Sequence, residues 1–146
     1  MDYKEFMFRM YVKEIEANII KHYIKDLSFE NLQDINNQNF KEDEIKFSDN
    51  ISATFQTYNE KNFSVLLKFI CDCSLIKNNK KCFILEIDYF GLFEVDKREN
   101  YSQDELTKRG CILLYPKLKS IVEDITKKGT LFSISLNNLD FNLIKN

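Results

Sequence analysis

Three consecutive stretches of this chain alternate apolar and polar residues with a period of two, and that repetition leaves few folds open. In 45–57 the odd positions Ile45, Phe47, Ile51, Ala53 and Phe55 are apolar. The even positions Lys46, Ser48, Asn50, Ser52, Thr54 and Gln56 are polar, and Asp49 is the one lapse. Successive side chains of a strand point to opposite faces, so this is the pattern of a half-buried antiparallel strand. Residues 63–76 put Phe63, Val65, Leu67, Phe69, Cys71, Cys73 and Leu75 on one face and Leu66, Lys68, Ile70, Asp72 and Ile76 on the other. After a polar turn, Lys77-Asn78-Asn79-Lys80, residues 82–95 run back with Phe83, Leu85, Ile87 and Tyr89 on one face and Ile84, Glu86 and Asp88 on the other. Short connections predict a meander. One face must be covered. The second face keeps Leu66, Ile70 and Ile84, more apolar surface than a free solvent face usually shows, and this points to a subunit or client contact.

Upstream, residues 17–29 read as a further strand with Ile19, Lys21, Tyr23, Lys25, Leu27 and Phe29 on one apolar-leaning face. The Asn-, Gln- and acid-rich 31–44 reads as a polar loop. In residues 1–16 the spacing of Tyr3, Phe6, Met7, Met10 and Tyr11 predicts an amphipathic helix, packed on its own domain, on a sister subunit or on a partner. A long helix follows the strands. Ser102 with Glu105 makes a capping box, Leu106, Leu113, Leu114, Leu118, Ile121, Val122 and Ile125 recur at helical spacing, and Gly129 ends it. Pro116 removes one helical hydrogen bond and predicts a kink or break near Cys111–Ile112. A short last helix is expected to start at Asp140, with Phe141 and Ile144 packed back. The sum is one α+β domain spanning 1–146: a four-stranded antiparallel meander sheet, a long kinked helix and a short C-terminal helix on one face, and the N-terminal helix of 1–16 as an extension.

Composition removes several functions. A formal charge of -2 without a basic stripe gives no footprint for nucleic acid. Three Gly leave little room for a phosphate loop. No apolar run approaches the roughly 20 residues that span a bilayer, and Asp2, Glu5, Glu14 and Glu16 interrupt any signal-peptide core, so the cytoplasm is the expected location. Cys71 and Cys73 form C-x-C rather than the C-x2-C of common zinc sites, and one His leaves few further ligands, so reduced buried thiols are expected and no metal or cofactor. An enzyme would need to be built from His22 or from a carboxylate pair among Asp26, Glu30 and Glu86; no nucleophile motif accompanies them. What stands out instead is the aromatic load, thirteen Phe and seven Tyr, which fills cores and builds binding surfaces.

Four segments together resemble one family. Tyr23-Ile24-Lys25-Asp26-Leu27-Ser28-Phe29-Glu30 is similar to the first-strand motif of the SecB export chaperones. Phe83 to Phe93, FILEIDYFGLF, resembles their fourth-strand motif, which ends in Gly, an aliphatic residue and Phe. Leu113-Leu114-Tyr115-Pro116 matches their long helix, and Lys128-Gly129-Thr130 with Leu136 and Phe141 matches the segment beyond it. The resemblance runs from about 17 to 144, with Phe132 standing where the family has proline. It implies an ATP-independent holdase, a homotetramer built as a dimer of dimers, that binds unfolded preproteins for Sec-dependent export. SecB-like proteins dedicated to an antitoxin, and an adaptor protein sharing the fold, are the alternatives. The resemblance also implies a docking patch for the SecA motor at Asp26, Glu30, Ile84 and Glu86. Client contacts are expected at Leu66, Phe69, Ile70, Tyr89, Phe90 and Leu92, positions that the alternation alone assigns equally well to a core.

Overall fold

The computed structural model describes residues 15–32 and 44–129. Four antiparallel strands, β1 (Ala17–Asn31), β2 (Ile45–Thr57), β3 (Asn62–Leu75) and β4 (Lys81–Val95), are followed by a short 3-10 turn at Arg98–Asn100 and one long helix, α1 (Gln103–Gly129). The expected N-terminal helix of 1–16, most of the 31–44 loop and the C-terminal helix from Asp140 lie outside the described residues.

The strand order is β1-β4-β3-β2, which corrects the expected meander. Only β2, β3 and β4 follow one another through hairpins. β1 pairs with β4, so the chain between β1 and β2 passes from one edge of the sheet to the other, the Greek-key arrangement. The hairpins behave as their sequences require. Asn79 takes the left-handed conformation (φ 58°) in the β3–β4 turn, a position that asparagine tolerates better than most residues. In the β2–β3 turn the Asn59 side chain accepts hydrogen bonds from the backbone N–H groups of Lys61 and Asn62.

β2 and β3 pair in unbroken register from Ile45↔Leu75 to Thr57↔Phe63. β1 does not pair so evenly with β4. Ile19 lies opposite Phe93 but Lys21 opposite Leu92, and Ile24 opposite Tyr89 but Asp26 opposite Asp88. Ile20 and Lys25 are therefore extra residues, two bulges, and each reverses the alternation beyond it. The single face predicted for Ile19, Lys21, Tyr23, Lys25, Leu27 and Phe29 is thus divided. Lys21 and Tyr23 share a face with Asp26, Ser28 and Glu30, and Ile24, Leu27 and Phe29 share the other with His22.

The face of β3 and β4 that carries Phe63, Val65, Leu67, Phe83, Leu85, Ile87 and Phe93 is fully buried. Helix α1 closes it with Leu106, Cys111, Ile112, Leu114, Tyr115, Leu118 and Val122. Stacked rings extend this core toward the β2–β3 turn: Phe55 on Phe63 at 5.7 Å and Phe63 on Phe93 at 5.2 Å. At the start of α1 the Ser102 hydroxyl accepts from the Glu105 N–H at 3.1 Å, as the capping box predicted. Ser102→Ala should therefore cost about 1 kcal/mol, read as a lowered urea midpoint at unchanged slope. Of the kink or break expected near Cys111–Ile112, the break is absent: α1 runs continuously through Pro116. Proline takes one donor from the ladder, but the neighbouring turns bury Leu114, Tyr115 and Leu118 against the sheet, and tertiary packing holds the helix together.

Candidate functional site

With one face of the sheet closed by α1, the other, outer face is the broad surface left. Its composition follows from the register. Along β1 and β4 the outward pairs are, in order, Glu30↔Ile84, Ser28↔Glu86, Asp26↔Asp88, Tyr23↔Phe90 and Lys21↔Leu92. β3 adds Asp72, Ile70, Lys68, Leu66 and Ser64 beside the same β4 residues.

One end of this strip is acidic. Asp26, Glu30 and Glu86 are exposed, Ile84 is half-buried among them, and all four predicted docking residues fall on adjacent rungs. Asp88 joins them, directly opposite Asp26, and like charges in that position repel. Lys68 lies opposite Asp88 on β3, but among the described residues neither Asp88 nor Asp26, Glu30 or Glu86 forms an ion pair. The nearby Asp72 is different, bridged to Lys81 at 3.0 Å. Asp26 also accepts a hydrogen bond from the Leu27 N–H at 3.1 Å. Four carboxylates, with Lys68 the one lysine directly opposite any of them, leave an excess of negative charge that attracts cations, and a polypeptide carrying Lys or Arg is the natural partner.

The other end is aromatic. Tyr23 and Phe90 lie ring to ring at 5.0 Å. Tyr58, half exposed, leans in from the end of β2, its hydroxyl 3.1 Å from Ser64 Oγ. Between them is a depression of about 460 Å³ lined also by Leu92, Asn62 and Lys21.

The six predicted client-binding residues separate by face. Leu66, Phe90 and Leu92 are half-buried and Ile70 is 46% exposed, all on the outer face. Phe69 and Tyr89 are core residues at 1% and 4% exposure. Both lie on the face of the sheet that α1 covers, where packing closes them off from the surface. Tyr89 also hydrogen-bonds His22 Nδ1 through its hydroxyl at 2.5 Å. His22 is thereby held on the helix side of the sheet, on the opposite face from the carboxylates. Those carboxylates lie on an open surface, and no acid–base arrangement with His22 is assembled.

The cysteines are all free and buried. Burial pushes the Cys71, Cys73 and Cys111 thiols up to about 12, with the Asp49 and Asp72 carboxylates adding to the effect at Cys71. A thiol reagent at pH 8 should therefore find no fast-reacting group in the native protein and all four after denaturation. The linkage follows the same sign. These thiols stay protonated in the fold above the ordinary value of 9.0, so their contribution to stability is complete below pH 9 and is lost as the pH rises toward 12. Among the described residues no cluster of His, Cys, Asp and Glu is arranged to hold a metal, and no helix is long and apolar enough to cross a membrane.

The sequence matches the family model described as preprotein translocase subunit SecB over residues 11–144. The chain belongs to the SecB family. SecB proteins are protein-export chaperones and not enzymes. Among similar proteins, the protein-export protein SecB of Dinoroseobacter shibae is 28% identical over 125 residues, covering 84% of this chain and 72% of that one. That of Orientia tsutsugamushi strain Boryong is 29% identical over 124 residues, covering 82% and 74%. The fold is also similar to that of a Mycobacterium tuberculosis SecB-like chaperone, solved in complex with a ChAD peptide from an antitoxin. The TM-score is 0.67 at 15% identity, covering 84% of this chain and 90% of the other.

The residues that sequence reasoning missed are Tyr23, Tyr58 and Asp88. The bulge at Lys25 hid Tyr23 on the wrong face. Asp88 was legible, two residues beyond Glu86 on the same side of β4.

Proposed function

We propose that this SecB-family chain is an ATP-independent holdase that keeps preproteins unfolded for Sec-dependent export, acting as a homotetramer in the cytoplasm. The observation that carries the reading is the amount of large apolar surface left open on a well-packed subunit. Ile70 is 46% exposed on the outer face, and Ile20, Ile24 and Leu27 of β1 stand 48%, 42% and 38% exposed along one edge of the sheet. Assembly of subunits would cover part of this surface, and clients would take the rest. Exposed apolar patches on folded proteins mark such contacts, and several weak sites on one oligomer add through effective concentration. Client contacts are assigned to Leu66, Ile70, Phe90 and Leu92. The exposed acids Asp26, Glu30 and Glu86, with Ile84, are assigned to a motor partner of the SecA type.

A second reading follows from the antitoxin peptide bound by the M. tuberculosis chaperone. In it the chain would serve a single aggregation-prone antitoxin. The two differ in breadth. A panel of unrelated polypeptides kept unfolded by reduction and alkylation, with their native forms as controls, should bind without nucleotide if the export reading holds. Binding of no panel member by a well-folded sample rejects the general holdase and favours the dedicated one.

A further inference from the structure

The acidic patch and the aromatic depression are successive parts of one ladder. From the Ser28↔Glu86 rung to the Tyr23↔Phe90 rung is four residues of β4, about 13 Å at the rise of an extended strand. An extended polypeptide lying along β1 and β4 spans both, advancing by the same distance per residue as the strands beneath it. We propose that the outer face of β1 and β4 is a bipartite docking strip, which reads a partner segment carrying basic residues and, about four residues further on, an aromatic side chain seated between Tyr23–Phe90 and Tyr58. This inference rests on the partner-docking reading of the acidic patch and adds the second half of the recognition element.

Charge and shape both select this occupant. Asp26, Glu30, Glu86 and Asp88 are grouped without an ion pair among the described residues, so a cationic stretch relieves their mutual repulsion. Lys21 is the one side chain lining the depression that is charged at neutral pH, and it repels a basic run that continues past the patch. The positive stretch must therefore end where the aromatic slot begins. The slot is lined by the Tyr23, Phe90 and Tyr58 side chains and by Leu92, surroundings in which an aromatic anchor gains most from leaving water. The basic part brings the partner in and is weakened by salt, and the aromatic part slows its departure.

The test is fluorescence anisotropy with three labelled twelve-residue peptides. The first carries three arginines and a phenylalanine four residues beyond them, the second has serine for that phenylalanine, and the third has the phenylalanine adjacent to the arginines. The first should bind about tenfold more tightly than the other two. Raising salt from 50 to 200 mM should weaken all three by a similar factor. Phe90→Ser should reduce the first peptide to the affinity of the second without changing the second. Tyr23→Ser, at an exposed position of the edge strand, gives the same readout should Phe90→Ser disturb the fold. Equal affinities for the three peptides overturn the proposal. So does an aromatic gain that survives in both variants, which would place the ring on some other apolar surface. Failure of all three to bind removes the docking reading along with it. The holdase reading is judged separately, by binding of unfolded chains.

Discussion

Valine in place of Gly110 is expected to destabilise the protein by about 3 kcal/mol, read as a lower urea midpoint at unchanged slope. Gly110 lies where α1 packs on β3 and β4 with no room for a side chain. A Cβ there would sit 2.5 Å from Val65 Cγ2, 3.1 Å from Val65 Cβ and 3.2 Å from Phe93 Cε2. Val65 Cβ is fixed to the backbone of a central strand and cannot rotate away. The Phe93 ring is stacked on Phe63 and has nowhere to move. The helix must then lift, and the contacts of Leu106 and Leu114, both buried to within 1%, loosen with it. The milder Gly110→Ala gives the decisive check when combined with Val65→Ala. Each change alone should destabilise, one by overpacking and the other by leaving a cavity. Together they should cost clearly less than their sum, because the added methyl occupies space that the deletion opens. Strict additivity would mean that the two residues do not share that space.

Phe69→Ala and Ile70→Ala should differ by more than their adjacency suggests. Phe69 is 1% exposed on the core face, and its truncation should cost about 3–5 kcal/mol, a large part of the stability of a domain this size. Ile70 is 46% exposed on the outer face, and its truncation should cost under about 1 kcal/mol while weakening the binding of unfolded polypeptide. Urea unfolding supplies the first comparison and client affinity the second. Loss of stability at Ile70 equal to that at Phe69 would place Ile70 in a packed interior and remove it from the binding surface.

The contrast between these neighbours shows what the sequence could and could not reveal. Period-two alternation identified both faces of β2, β3 and β4, because β2 and β3 pair in even register and β3 and β4 do so from Cys73↔Phe83 onward, their one irregularity lying beside the β3–β4 turn. It could not say which of Phe69 and Ile70 a client meets, since both are apolar and only the position of α1 decides. Nor could it reveal the two β1 bulges. Ile20 and Lys25 are chemically unremarkable there, and the shift arises from pairing with β4, a partner more than fifty residues away. The Greek-key order escaped for the same reason: adjacent strands usually pair, and here a long connection between β1 and β2 overrides that preference. Helix α1 was legible in its cap and its apolar spacing, whereas its continuity through Pro116 was not, because sequence weighs the lost hydrogen bond and not the packing on either side. The acids assigned to docking were picked out through the first- and fourth-strand motifs and their resemblance to SecB. Tyr58, at the aromatic end, carried no local signal, because it comes to that end from beyond β2.

The central claim is that this SecB-family protein holds unfolded chains without nucleotide. Light scattering by a chemically denatured protein diluted into buffer tests it most directly. With this protein present at near-stoichiometric amounts and no ATP, scattering should be strongly suppressed, and more so as the ratio rises. Unchanged scattering at every ratio, from a sample shown to be folded, would contradict the claim.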